Sequence, residues 1–228
     1  MNLRLLQISD SALPIGGYTH SWGLEASISQ GFVRDAESLE KWIRCWLRYA
    51  IAPTEGVVLV AAWRAGQLQD WPKVQRANEL LTAMIAPPSI RSASEEMGEH
   101  LLELAATWTW SVVGVREFLS QFGRTPEAFC WHHAVVFGLL GVLAGADENE
   151  SLAAYLHQAA LGAIGAAVRA IPVGHMHGQQ VLAYLHEEIQ QLVAAFVYRD
   201  LDQASGSCPF YEVLCDEQTR LYARLFRS

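Results

Sequence analysis

The chain has 228 residues, 51% of them hydrophobic and 18% charged, a balance that excludes intrinsic disorder and fits one large domain or at most two small ones. Sixteen Lys and Arg against 24 Asp and Glu leave a net charge of −8, which repels phosphate backbones and anionic lipid, so neither nucleic acid nor a membrane is an expected partner. The four Cys, at 45, 130, 208 and 215, stand far apart with no zinc or CxxC spacing, and they read as free thiols of a reducing compartment.

In chain order, the first 17 residues carry one Arg, a broken apolar run and an early acid, Asp10, which is not a signal peptide. The longest apolar stretch, residues 134–146, is too short to span a bilayer, and a cytoplasmic protein is expected. Residues 9–18 form a loop in which Pro14 fixes one dihedral and Gly16 and Gly17 permit positive φ. It reads equally as a capped turn or as a partner-contact loop. A helix is expected to start within residues 18–25. Leu39, Trp42, Ile43, Trp46, Leu47, Ala50 and Ile51 then mark one apolar face of a helix over 36–52, with Asp35 as N-cap and Pro53 as its end or a kink. Residues 57–62 suit a strand by composition, but their neighbours are helical.

Further helices are expected over 71–86, 92–110 and 116–122, with Pro87 and Pro88 breaking the chain between the first two. Residues 126–144 and 151–170 are helical and rich in Gly and Ala. The second of these, with the smallest side chains, is placed at the centre of a bundle. Val181, Leu185, Ile189, Leu192, Val193 and Phe196 mark a last amphipathic helix over 177–199, and residues 171–176 and 202–216 read as loops. The whole reads as all-α, a single-domain bundle of about nine or ten helices over 1–201, with a C-terminal tail over 202–228 that docks on the bundle or on a partner.

Familiar catalytic motifs are missing from the sequence. There is no phosphate-binding GxxxxGK[ST], no GxGxxG, no HExxH and no GxSxG. His132 and His133 are adjacent and diverge by about 100° on a helix. His175 and His177 could share a metal ion if they lie on an extended loop, and they are the weak metal candidates of a helical metalloenzyme reading. No carboxylate or thiolate clusters beside them, and no cofactor is implied.

Several blocks resemble the urease accessory protein UreF family. They are Asp10-Ser11-Ala12-Leu13-Pro14-Ile15-Gly16-Gly17 with His20-Ser21-Trp22-Gly23-Leu24-Glu25, then Ser94-Glu95-Glu96-Met97-Gly98, and His133-Ala134-Val135-Val136-Phe137-Gly138. Ala167-Val168-Arg169-Ala170-Ile171-Pro172-Val173-Gly174 and the terminal Arg224-Leu225-Phe226-Arg227-Ser228 follow in the family's order. The chain departs from the family pattern at Glu95, where Arg is usual, at His175, where Gln is usual, and at Asp216-Glu217-Gln218, where a His-Glu pair often stands. The resemblance implies an all-α, often dimeric protein without enzyme activity. It would help deliver nickel into apo-urease, bound to a UreD (or UreH) protein and recruiting the GTPase UreG.

On that basis the tail is the expected UreD/UreH-like contact, through Phe210, Tyr211, Tyr222, Arg224, Leu225, Phe226 and Arg227. The spacing of Leu221, Tyr222, Leu225 and Phe226 suits one face of a short helix that folds into a partner or onto the bundle. The expected UreG-like contact comprises Pro14, Gly16, Gly17, His20, Glu25 and Arg169. Arg169 could equally cap the end of its own helix.

Overall fold

A computed structural model describes residues 1–122, 130–206 and 208–228. In chain order the elements are α1 (Leu3–Ile8), a 3-10 turn (Gly17–Thr19), α2 (Leu24–Ser29), α3 (Ala36–Trp46), a π-helical segment (Leu47–Gly56) and α4 (Val57–Gln67). Then come α5 (Trp71–Met84), α6 (Pro88–Ala105), α7 (Val112–Ser120), α8 (His133–Ala144), α9 (Glu148–Ala170), α10 (His175–Phe196), a second 3-10 turn (Leu201–Gln203) and α11 (Pro209–Thr219). The described residues contain no strand, so the fold is all-α.

The expected helix over 36–52 neither ends nor breaks at Pro53. Asp35 caps it, accepting from the Ser38 N–H at 2.9 Å, with the Ser38 hydroxyl returning to the Asp35 N–H in a capping box. The backbone stays right-handed through the π segment and into α4. Proline lacks the N–H that an α-helical turn needs, and widening the turn absorbs that loss. Residues 57–62 are therefore helix, not strand. Their apolar run is buried because α4 packs against α5, α8 and α9 at once.

The centre of the bundle is α8, nearly every residue of which is buried. It sits between α4, α6 and α9. A Cβ on Gly138 would stand 2.5 Å from the Leu59 carbonyl oxygen of α4, so only glycine allows that approach. The small-residue helix α9 takes the central place expected of it, packing on α10, α8, α2, α4 and α3 with Ala160, Ala163, Ala166 and Ala167 buried, but two of its glycines do not serve that packing. Gly162 and Gly165 face open space rather than a neighbouring backbone. They form one wall of a cleft. By length and composition α9 could cross a membrane, but 56% of its apolar window is buried inside the bundle.

Beside the apolar packing of α10 on α3 and the π segment, a charged clasp joins them. The buried Glu188 accepts from Arg44 Nη1 at 2.8 Å and from Arg48 Nε and Nη2 at 2.8 and 2.9 Å. Burial alone would raise its carboxyl pKa, but Arg48 and Arg44 outweigh that and hold it below the usual value.

Other boundaries differ from expectation. The helix expected over 92–110 starts earlier, at Pro88, and stops at Ala105, leaving Trp108 and Trp110 stacked in the following turn. The helix expected over 116–122 spans 112–120 instead. Of the helix expected over 126–144, residues 126–129 lie outside the described residues and α8 begins at His133. Residues 202–216 are not simply loop, because α11 starts at Pro209, a residue suited to the first helical turn. Conversely, residues 221–228 form no helix. Phe226 is buried while Tyr222 and Leu225 are exposed, and this tail follows an irregular path with bends.

Candidate functional site

The C-terminal tail lies across the loop and turn that precede α2. Three glycines or left-handed residues shape that turn: Gly16 (φ 91°), Trp22 (φ 57°) and Gly23 (φ 77°). A Cβ on Gly23 would press on Cys215 Sγ of α11 at 3.0 Å. This contour lets α2 meet α11 and aims the Glu25 carboxylate at the tail. Glu25 Oε1 accepts from the Leu225 N–H at 2.7 Å and Oε2 from the Phe226 N–H at 3.2 Å. Gln218 Nε2 adds a weaker contact at 3.4 Å. The Ser228 backbone oxygen accepts from the N–H groups of Ser21 (2.5 Å) and Trp22 (3.1 Å). His20 Nδ1 lies 2.7 Å from Ser228 Oγ, and the Arg227 N–H donates to the Thr19 carbonyl at 2.8 Å. Outside this clamp Arg227 forms a bidentate pair with Glu96 on α6 at 3.0 and 3.2 Å.

Arg169 closes the same surface from α9. Its guanidinium stands 3.7 Å from the Tyr18 ring centroid and 4.4 Å from that of Phe226, a cation held between two aromatic faces. Its Nε also donates to the Gly165 carbonyl at 3.0 Å, one turn back on its own helix and short of the last four carbonyls, which a capping role would need. Tyr18, Arg169, Arg224, Leu225, Phe226 and Arg227 surround a shallow cavity of about 350 Å³. Three arginines converge there on a chain of net charge −8. Arg169, expected to meet one partner, thus shares a surface with Arg224, Leu225, Phe226 and Arg227, expected to meet the other.

Beside it, under the loop of residues 10–18 and along α9, runs a cleft of about 530 Å³. Its floor holds Glu55, Tyr155 and His133. The Tyr155 hydroxyl donates to the Glu55 carboxylate, and the His133 and Tyr155 rings lie 5.3 Å apart. Burial raises the Glu55 carboxyl pKa above its ordinary value, against the pull of the Tyr155 hydrogen bond. His133 Nε2, which also lines the cleft, has no hydrogen-bond partner among the described residues. Glu55 was not singled out in the sequence, although an acid two residues after a proline, between apolar runs, was there to be seen. Glu55 sits in the π segment, which is what turns it inward.

Three buried histidines give this region an acid sensitivity. Burial pushes the pKa values of His20, His132 and His133 down to about 4, with Arg227 adding to the effect at His20 and Arg91 at His132. Unfolded, each titrates near 6.5. The unfolded chain therefore binds more protons between pH 4 and 6.5, and stability is full above that window and lost as pH falls through it. Glu55 and Glu95, whose carboxyl pKa values burial raises, work the other way, favouring lower pH. The urea midpoint is expected to drop between pH 7 and 4.5, and a His20→Gln, His133→Gln double variant to show a shallower drop. An equal drop in both proteins would remove His20 and His133 as its cause.

The placement of the sequence candidates is mixed. Glu25 and His20 are buried and bind the tail, so they are not exposed contacts for a UreG-like protein. Phe226 is inside the arginine–aromatic sandwich, and Tyr211 packs its ring 6.3 Å from Trp46. Pro14, Tyr222, Arg224, Leu225 and Arg227 are exposed, and Phe210 is half-exposed with its ring 5.2 Å from Phe32. His175 and His177 open α10 rather than lying on an extended loop. Two residues apart on a helix, their imidazoles diverge by about 200°. That geometry overturns the shared-metal reading, and no group of three or more metal-ligating side chains occurs among the described residues.

Comparison with known proteins agrees with the motif blocks. The family model UreF matches residues 33–186. Urease accessory protein UreF of Cupriavidus pinatubonensis is 34% identical, covering 99% of this chain and 97% of its own length. Proteins of the same name from Cupriavidus metallidurans and Thermosynechococcus vestitus are 36% and 34% identical, with equal coverage.

Proposed function

The chain belongs to the UreF family of urease accessory proteins, and from that premise we propose that it bridges a UreD/UreH-like protein and the nickel-carrying GTPase UreG during insertion of nickel into apo-urease. On this reading it is a chaperone that works by contact, as a homodimer in the cytoplasm, and catalyses nothing itself. The observation that carries the reading is the composite surface where the tail is clamped over the loop. Exposed aromatic and Arg side chains in one segment are the residue types that dominate binding energy at interfaces.

The partner assignments are refined accordingly. Phe210, Tyr222, Arg224, Leu225 and Arg227 are the side chains offered to the UreD/UreH-like protein. Pro14, Gly16, Gly17 and Arg169, with Tyr18 added, are offered to the UreG-like protein. Glu25, His20, Tyr211 and Phe226 hold those groups in place and are positioning residues.

Tyr222 and Arg224 are the cleanest probes. Tyr222 is fully exposed, and among the described residues no hydrogen bond or ion pair holds the Arg224 side chain. The test is size-exclusion chromatography of this chain with a UreD-like and a UreG-like protein, with and without GTP. The wild type is expected to give a three-component peak. Tyr222→Ala with Arg224→Ala is expected to weaken UreD-like co-elution at least tenfold while leaving the thermal midpoint unchanged. A full-strength complex from that variant would move the interface elsewhere. Absence of any complex from the wild type would overturn the bridging role.

A further inference from the structure

We propose that the cleft beneath the loop of residues 10–18 is a binding site for a small organic ammonium ion, seated on the Glu55 carboxyl group between aromatic walls. Its volume of about 530 Å³ is that of a small-molecule site, far larger than one trapped water needs. Glu55 Oε2 accepts from the Tyr155 hydroxyl. Among the described residues Glu55 Oε1 has no hydrogen-bond partner, although the side chain stands between buried stretches of the π segment and α4. On the same floor His133 Nε2 is a second polar atom that the bundle leaves unsatisfied. A carboxyl group in apolar surroundings gains most from a ligand that brings both the missing donors and the opposite charge.

The walls select the kind of cation. Trp22, Trp46 and Tyr155 line the cleft, and the Trp22 and Trp46 rings stack with their centroids 6.5 Å apart. Trp22 is held there at φ 57°, a left-handed conformation that a bulky residue adopts only where its surroundings impose it. Indole and phenol faces attract an ammonium group and pack against its alkyl stem. A divalent metal ion fits poorly, because no group of three or more metal-ligating side chains occurs among the described residues to replace its water. An anion fits poorly too. Asp10 and Glu55 line the cleft against one arginine, Arg169, whose guanidinium is already held between Tyr18 and Phe226. On the α9 wall, Gly162 and Gly165 leave room for the stem of the ligand.

This site does not depend on the partner assignments above, and its test uses the isolated full chain. Equilibrium dialysis at pH 7 compares phenylbutylammonium with phenylbutanol and phenylbutyrate, neutral and anionic probes of similar shape. The ammonium is expected to bind, and the alcohol and the carboxylate to bind about tenfold more weakly or worse. Glu55→Gln should lower the ammonium affinity about tenfold or more and leave that of the alcohol unchanged, a split that a general loss of packing would not produce. Gly162→Leu fills the space for the stem without touching the carboxyl group, and it should weaken both. Thermal midpoints check that the variants are folded. If Glu55→Gln is not, the three probes on the wild type and on Gly162→Leu decide the matter. The proposal is overturned by a wild type that does not bind the ammonium, or that binds the alcohol or the carboxylate as tightly. Full-strength ammonium binding by Gly162→Leu, or by folded Glu55→Gln, overturns it equally.

Discussion

Replacing Glu25 by Ala is expected to release the last residues of the chain and to cost about 3 kcal/mol of stability. The carboxylate is buried and accepts from two backbone N–H groups, those of Leu225 and Phe226, and from Gln218. Hydrogen bonds to a charged group contribute about 1.5–3 kcal/mol each, and removing the acceptor leaves the donors of a buried backbone unpaired. Release of the tail would also uncover the Phe226 face of Arg169 and the Ser228 contacts of Ser21 and Trp22. Glu25→Gln keeps the shape and one acceptor, so its loss should be roughly half as large. Urea denaturation reads the stability, and amide hydrogen exchange at Leu225 and Phe226 reads the tail. A Glu25→Ala protein whose tail amides stay protected would show that the clamp does not depend on this carboxylate. If such a protein also lost UreG-like co-elution, Glu25 would return to the list of direct contacts.

That result would turn on a relation no local pattern can show. The sequence marks Glu25 and the terminal Leu225-Phe226 as members of separate blocks, 200 positions apart, and periodicity carries no information on what binds what. Where a pattern is local it reads well. The apolar stripe from Leu39 to Ile51 and the Asp35 cap are both present as expected, because 3.6-residue periodicity and a side chain reaching one turn ahead are physics of a few residues. The stripe from Val181 to Phe196 is equally faithful. The helix α11 escaped notice because Ser205, Gly206 and Pro209 write loop chemistry up to its first turn, and Pro209 starts the helix instead of breaking it. The short α1 is held by Asn2, whose side chain accepts from Arg4 and Leu5 N–H groups, and six residues are too few to reveal a period. The Glu55 floor of the cleft depends on a π turn whose register shift no helical-wheel argument anticipates.

Glycine is where letters mislead most, and one pair of substitutions separates the cases. Gly98 on α6 faces the backbone just before α8. A methyl group there would overlap the Trp131 carbonyl oxygen and stand 2.8 Å from the carbonyl carbons of both Trp131 and His132. These are main-chain atoms, and the segment is not free to retreat. The His132 N–H donates to Asn78 Oδ1 at 2.9 Å, and its ring lies 3.1 Å from Ser94 Oγ and 3.0 Å from Thr82 Oγ1. Moving it would break a buried polar network as well as a packed contact. Gly98→Ala is therefore expected to destabilise the protein by about 3 kcal/mol or more, at the upper end of overpacking costs. Gly162→Ala is expected to do the reverse. Among the described residues no atom outside its own stretch of helix lies within 4 Å of the added methyl, and the gain in helix propensity is about 0.5–1 kcal/mol. Urea midpoints of the two variants should move in opposite directions from the wild type. A Gly98→Ala protein as stable as the wild type would mean that α6 and the start of α8 do not approach this closely. A destabilising Gly162→Ala would mean that the cleft wall is closed, not open, when the chain is folded in solution.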